Sequence, residues 1–189
     1  MTEPHLTFLD QNEWENWLTQ NGGTSPGIWL RLAKKGAAQR TLTYEQALEG
    51  ALCHGWIDGQ KRAESDEYWL QRFTRRSAKS LWSRLNRERA EALIAAGRMR
   101  PSGMREIEQA MEDGRWEAAY TSASNSVMPD DLQAALDANP KASAFFATLN
   151  GRNRYAILFR VQNAKKPATR ARKIEEFIRM LNRGETIHP

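Results

Sequence analysis

The feature that most constrains this chain is a change of period near residue 80. Before it, short alternating runs are interleaved with capped helical stretches; from Ser80 onward apolar residues recur at helical spacing. Asp10-Gln-Asn-Glu13 and Thr43-Tyr-Glu-Gln46 both have the spacing of a capping box, which predicts helices through Trp14, Trp17 and Leu18 and through Ala47, Leu48, Ala51 and Leu52. Asn21-Gly22-Gly23 and Gly55 are the expected stops. Alternation predicts strands over 6–9, 27–33, 56–63 and 68–74, the last two joined by the acidic turn Glu64-Ser-Asp-Glu67. The resulting βαβαββ order is an α+β arrangement: a small N-terminal sheet with an antiparallel hairpin and helices, followed by an all-helical C-terminal region.

Beyond Ser80, Leu81, Leu85, Ala92 and Leu93 predict a helix ending at Gly97, and Pro101 is placed to open the next, lined by Met104, Ile107, Glu108 and Met111. Residues 120–128 are small and polar, and all seven tryptophans precede residue 117. Both facts place an α+β domain at 1–119, a linker at 120–128 and a helical domain at 129–189. Asn139-Pro140, Asn150-Gly151 and Lys166-Pro167 interrupt that helical domain. Its last helix carries Ile174, Phe177, Ile178 and Leu181 at i, i+3, i+4 and i+7, a core stripe for Tyr155, Leu158 and Phe159 to cover.

The net charge of +5 is uneven: segments 61–105 and 152–183 carry +7 and +8, leaving −10 elsewhere. Each basic block is first of all a solvated helix face; the alternative is a positive face for a phosphate-bearing ligand such as a nucleotide, RNA or lipid phosphate. A lone cysteine fits a reducing compartment, and the start of the chain lacks the pattern of an export signal, so the expectation is a cytoplasmic protein without a membrane span.

Residues 51–76, ALCHGWIDGQKRAESDEYWLQRFTRR, concentrate the chemistry. Cys53 falls at a helix C-terminus, where the dipole disfavours a thiolate, and it continues an apolar face; it reads as a packing residue. His54, beside it, reads as a helix-end residue. No HxxxH, CxxC, phosphate-loop or GxSxG spacing occurs, so no catalytic residue, metal ligand or cofactor is assigned. Asp58 sits in a strand among aromatic residues and needs a partner, for which Arg72, Arg75 and Arg76 on the next strand are candidates. The candidate ligand-binding residues are Trp56, Asp58, Gln60, Lys61, Trp69, Arg72, Arg75 and Trp82, with Gln71 among them.

ALCHGWIDGQ, YWLQRFTRR, LWSRLNRERAEALIAAGRM and GRWEAAY, with the stretch from Pro129 to Pro189, resemble the YdeI/OmpD-associated (bacteriocin-protection) family over roughly residues 25–189. The resemblance implies a bacterial stress-resistance protein, linked to tolerance of bacteriocins or cationic antimicrobial peptides and to a porin partner, and it implies no established reaction. It also implies an aromatic residue where this chain has His54, which makes that position one of packing. Three readings follow: a non-enzymatic protection protein, a binding module for an anionic ligand, and, last, an enzyme built around Asp58.

Overall fold

Two side-chain caps start the first helices, as the spacing predicts. The computed structural model describes residues 3–119 and 126–189, and the chain divides into two units, Met1–Ala119 and Tyr120–Pro189. Most of the expected linker, residues 120–125, lies outside the described residues. The first unit runs β1 (His5–Leu6), α1 (Gln11–Asn21), β2 (Ile28–Ala33), α2 (Tyr44–Cys53), β3 (Trp56–Ala63), β4 (Tyr68–Arg75), α3 (Arg84–Ala95) and α4 (Pro101–Glu112). The sheet order is β1-β2-β4-β3, with β1 parallel to β2 and the other pairs antiparallel.

The Thr43 box closes with both bonds, Gln46 N–H to Thr43 Oγ1 at 3.2 Å and Thr43 N–H to Gln46 Oε1 at 2.8 Å. At α1 the Asp10 carboxylate accepts from Glu13 N–H at 3.0 Å, but Glu13 reaches back one residue further, to Leu9 N–H at 2.8 Å. That bond and the acceptance of Leu42 N–H by the Phe8 carbonyl draw residues 8 and 9 away from the sheet, so β1 is shorter than alternation predicts.

Period two puts Ile28, Leu30 and Leu32 on the face that meets the helices, with Phe73 and Trp56 on the neighbouring strands. Trp14 fills the space between that face and α2; it is fully buried and its indole N–H donates to the Ala47 carbonyl at 2.9 Å. β3 is a sheet edge, and a register shift between Asp58 and Lys61, with basic residues following it, blunts that edge against further pairing.

The helix expected from Ser80 begins at Arg84, because the Ser83 hydroxyl caps it by accepting from Asn86 N–H at 3.1 Å. Leu81 and Leu85 consequently face solvent, while Trp82, Ala90 and Leu93 point inward. On α4, too, Met111 is exposed and Gly103, Ile107 and Ala110 form the buried stripe.

In the second unit each breaker opens a helix. α5 (Asp130–Asp137) is followed by α6 (Pro140–Thr148), α7 (Gly151–Gln162) and α8 (Pro167–Asn182). Proline at the first helical position loses no bond, since that N–H has no intrahelical acceptor. The Ile174, Phe177, Ile178 and Leu181 stripe is buried, but it meets Ile157, Leu158 and Val161; Tyr155 and Phe159 lie outside that core. Arg170 forks onto Asp131 at 2.5 and 2.7 Å and ties α8 to α5.

Ending the chain at Arg172 deletes four core side chains, each worth about 1.5–3 kcal/mol when fully buried. A whole domain is stable by only about 5–15 kcal/mol, so the second unit should lose its helical circular-dichroism signal and its thermal transition. An unchanged melting temperature would show that α8 is not part of this core.

Candidate functional site

The residues expected to form one pocket are dispersed. Trp56 and Trp82 are core side chains: the Trp56 indole N–H donates to the Gly22 carbonyl at 3.1 Å, and Trp82 lies beneath the Arg76 guanidinium, 3.5 Å from its ring centre, and against the edge of Trp116. Gln60 is exposed, and Lys61 lies over the Trp69 ring at 4.2 Å. Gln71 is buried and uses its amide on the carbonyls of Gly59 and Gln60, filling the irregularity in β3.

Asp58 does not pair with Arg72, Arg75 or Arg76. Its carboxylate accepts from the Tyr44 hydroxyl at 2.8 Å. For Arg72 the register gives the reason. Asp58 stands opposite Phe73, and neighbouring residues on a strand point to opposite faces, so Arg72 is on the other side of the sheet. There Arg72 forks onto Glu3, and this hydrogen bond holds the Glu3 carboxyl below its ordinary range. Burial, and then the charge of Asp58, push the Tyr44 hydroxyl well above the usual phenol range, so it serves as a donor. Arg75 shares a face with Trp56 and donates to the Gly23 carbonyl at 2.7 Å.

Arg75 leads to a cleft of about 760 Å³ in the first unit. Asn16, Thr19 and Gly22-Gly23 from the end of α1 form one wall. The turn His54-Gly55 forms the back, and Arg100, Ser102, Arg105 and Glu106 from the start of α4 form the other wall. The sequence builds this wall by letting α4 approach α2 end to end. Gly55 has φ +77°, and a Cβ there would lie 2.8 Å from the Ser102 carbonyl oxygen; one at Gly103 would lie 2.8 Å from the Leu52 carbonyl oxygen. Arg100 N–H donates to the Cys53 carbonyl at 3.1 Å.

The cleft is positive: three arginines and one carboxylate line it. Arg31, Arg72, Arg87, Arg98 and Arg115 each pair with a carboxylate. Arg75, Arg100 and Arg105 pair with none among the described residues, and Glu106 is the sole acid in the lining. Sequence reasoning found Arg75 but missed Arg100, Arg105, Ser102, Asn16 and Thr19. The available signal was Pro101 with arginine one residue before and four after it, which places one cation at the cap of a helix and one on its second turn.

His54 and Cys53 fill structural places beside this cleft. The His54 ring is mostly buried, with Nδ1 2.9 Å from the Gly50 carbonyl and Nε2 3.3 Å from Thr19 Oγ1. A carbonyl only accepts, so Nδ1 carries a proton. Cys53 is 1% exposed, and burial pushes its thiol up to about 11, so it stays protonated and inert at neutral pH. Among the described residues no group of His, Cys, Asp or Glu is placed to hold a metal ion.

Cys53→Ala should therefore cost about 1 kcal/mol of stability and leave ligand binding unchanged, and a thiol reagent should label the native protein only at the rate of opening. Rapid labelling would contradict the buried, protonated assignment.

Comparison with known families divides the chain as the contacts do. Residues 6–106 match the family described as Domain of unknown function (DUF8412), and residues 125–184 match the family described as Bacteriocin-protection, YdeI or OmpD-Associated. No curated protein and no solved structure matches the chain. The YdeI/OmpD-associated likeness is thus carried by the helical unit, while most motifs of the first unit lie in the region that the other family covers. With more than half of its length, residues 6–106, matched there, the chain belongs to the DUF8412 family.

Proposed function

We propose that this chain acts by binding rather than by catalysis, holding a small phosphate-bearing anion in the cleft between α1 and the start of α4. The observation that carries the reading is the set Arg75, Arg100 and Arg105, three guanidinium groups lining one cleft without carboxylate partners among the described residues. Guanidinium groups present a fork of donors that matches phosphate oxygens, which makes arginine the common choice for such anions. Support for binding over catalysis comes from the one thiol being buried and protonated, and from Asp58 being engaged by Tyr44 away from the cleft.

The match of residues 125–184 supports a role of the bacteriocin-protection type, with the cleft as the ligand-sensing part of the chain. A cytoplasmic setting belongs to the same reading, supported by the single free cysteine. Among the described residues no helix is long and apolar enough to cross a membrane. Basic block 152–183 is the weaker candidate, since Arg170 and Arg183 are already paired with Asp131 and Glu185.

Titration with inorganic phosphate tests the reading. Arg100→Gln and Arg105→Gln should each weaken binding about tenfold, equivalent to about 1.4 kcal/mol, with unchanged melting temperatures, and added salt should weaken it further because the groups are exposed. Phosphate binding that ignores both substitutions, or no phosphate binding at all, overturns the proposal.

A further inference from the structure

We infer, resting on the reading of the cleft as an anion site, that its ligand is a phosphorylated polyol of the sugar-phosphate class rather than bare phosphate or a nucleotide. Size is the first argument. About 760 Å³ lies within the range of sites for small organic molecules, and far exceeds what a single phosphate group fills.

The division of the lining is the second argument. Arg75, Arg100 and Arg105 supply charge, whereas Asn16, Thr19 and Ser102 supply an amide and two hydroxyls. The Asn16 amide and the Ser102 hydroxyl form no hydrogen bond to another described residue, so both are available to ligand hydroxyls. Thr19 shares its hydroxyl proton between the Glu15 carbonyl at 2.8 Å and His54 Nε2 at 3.3 Å and keeps lone pairs to accept from a ligand. Glu106 adds a carboxylate that accepts from a hydroxyl and repels a second phosphate. Three cations and one anion leave a net +2, which matches the charge of about −1.5 to −2 on one phosphate monoester at neutral pH.

Bases are held by stacking on exposed aromatic faces, and no Trp, Tyr or Phe lines this cleft. The His54 ring that does so has both nitrogens engaged by Gly50 and Thr19. A polar, hydroxyl-bearing body satisfies these walls, whereas a flat base finds no Trp, Tyr or Phe face for stacking.

Calorimetric titration of the full chain with glucose 6-phosphate, inorganic phosphate, glucose and AMP tests this. Glucose 6-phosphate should bind at least about tenfold more tightly than phosphate, AMP no more tightly than phosphate, and glucose not measurably. Asn16→Ala and Ser102→Ala should bring glucose 6-phosphate down toward the phosphate value while leaving phosphate itself unchanged, with melting temperature as the control for folding. Phosphate binding as tightly as glucose 6-phosphate, or AMP binding most tightly, overturns the sugar-phosphate inference while the anion site stands. A protein that binds none of the phosphate compounds removes the anion site as well.

Discussion

The end-to-end approach of α4 to α2 is the constraint on which the first unit's site depends. The α2 helix ends at Cys53 with its carbonyls directed forward, and α4 begins at Pro101 against those same carbonyls, with Arg100 N–H on the Cys53 oxygen. The negative end of one dipole meets the positive end of another, so each helix neutralises groups the other leaves unpaired. Contact this close tolerates no Cβ at Gly103 without displacing the Leu52 carbonyl, and overpacking of this kind costs about 1–3 kcal/mol. Because α2's terminus faces α4's, the positive character of the cleft comes from guanidinium groups rather than from a bare helix end.

That junction also explains why the most reactive-looking residues of the chain are quiet. Cys53 and His54 sit where α2 hands over to β3; the first is sealed beneath the junction and the second is held by Gly50 and Thr19. Several arginines of this unit serve as tethers. Those bonded to Glu3, Glu15, Glu49 or Glu64 fasten distant segments together, although exposed pairs of this sort contribute only about 0–1 kcal/mol each. The three that line the cleft fasten no carboxylate, and their charge remains for something else.

Local signals proved readable because they are local. The Thr43 box, the Pro101 helix start and the α8 stripe all depend on residues within a turn or two of each other, and each appears in the structure. The α+β order followed from them. What sequence did not yield was register and partnership across long separations. Asp58 was matched to arginines next along the hairpin, but a one-residue alternation sends Arg72 to the opposite face, and Tyr44 supplies the partner instead. Similarly, the cleft gathers Thr19, His54, Arg75 and Arg105 from four elements, and no window of sequence holds more than a fragment of it. Density of aromatic and charged residues pointed to the hairpin, where the rings are core and the charges are stacked on them or paired.

On the proposed reading the first unit binds its anion in this cleft and not on the hairpin or on the second unit's basic block. An amide nuclear magnetic resonance titration of the isotope-labelled chain with inorganic phosphate tests that directly. Progressive shifts at Gly22, Gly23, Gly55 and Ser102, with none across Lys61–Arg72 or residues 152–183, are the predicted result. Shifts confined to Lys61–Arg72 or to 152–183, with the amides of the cleft unmoved, would contradict it.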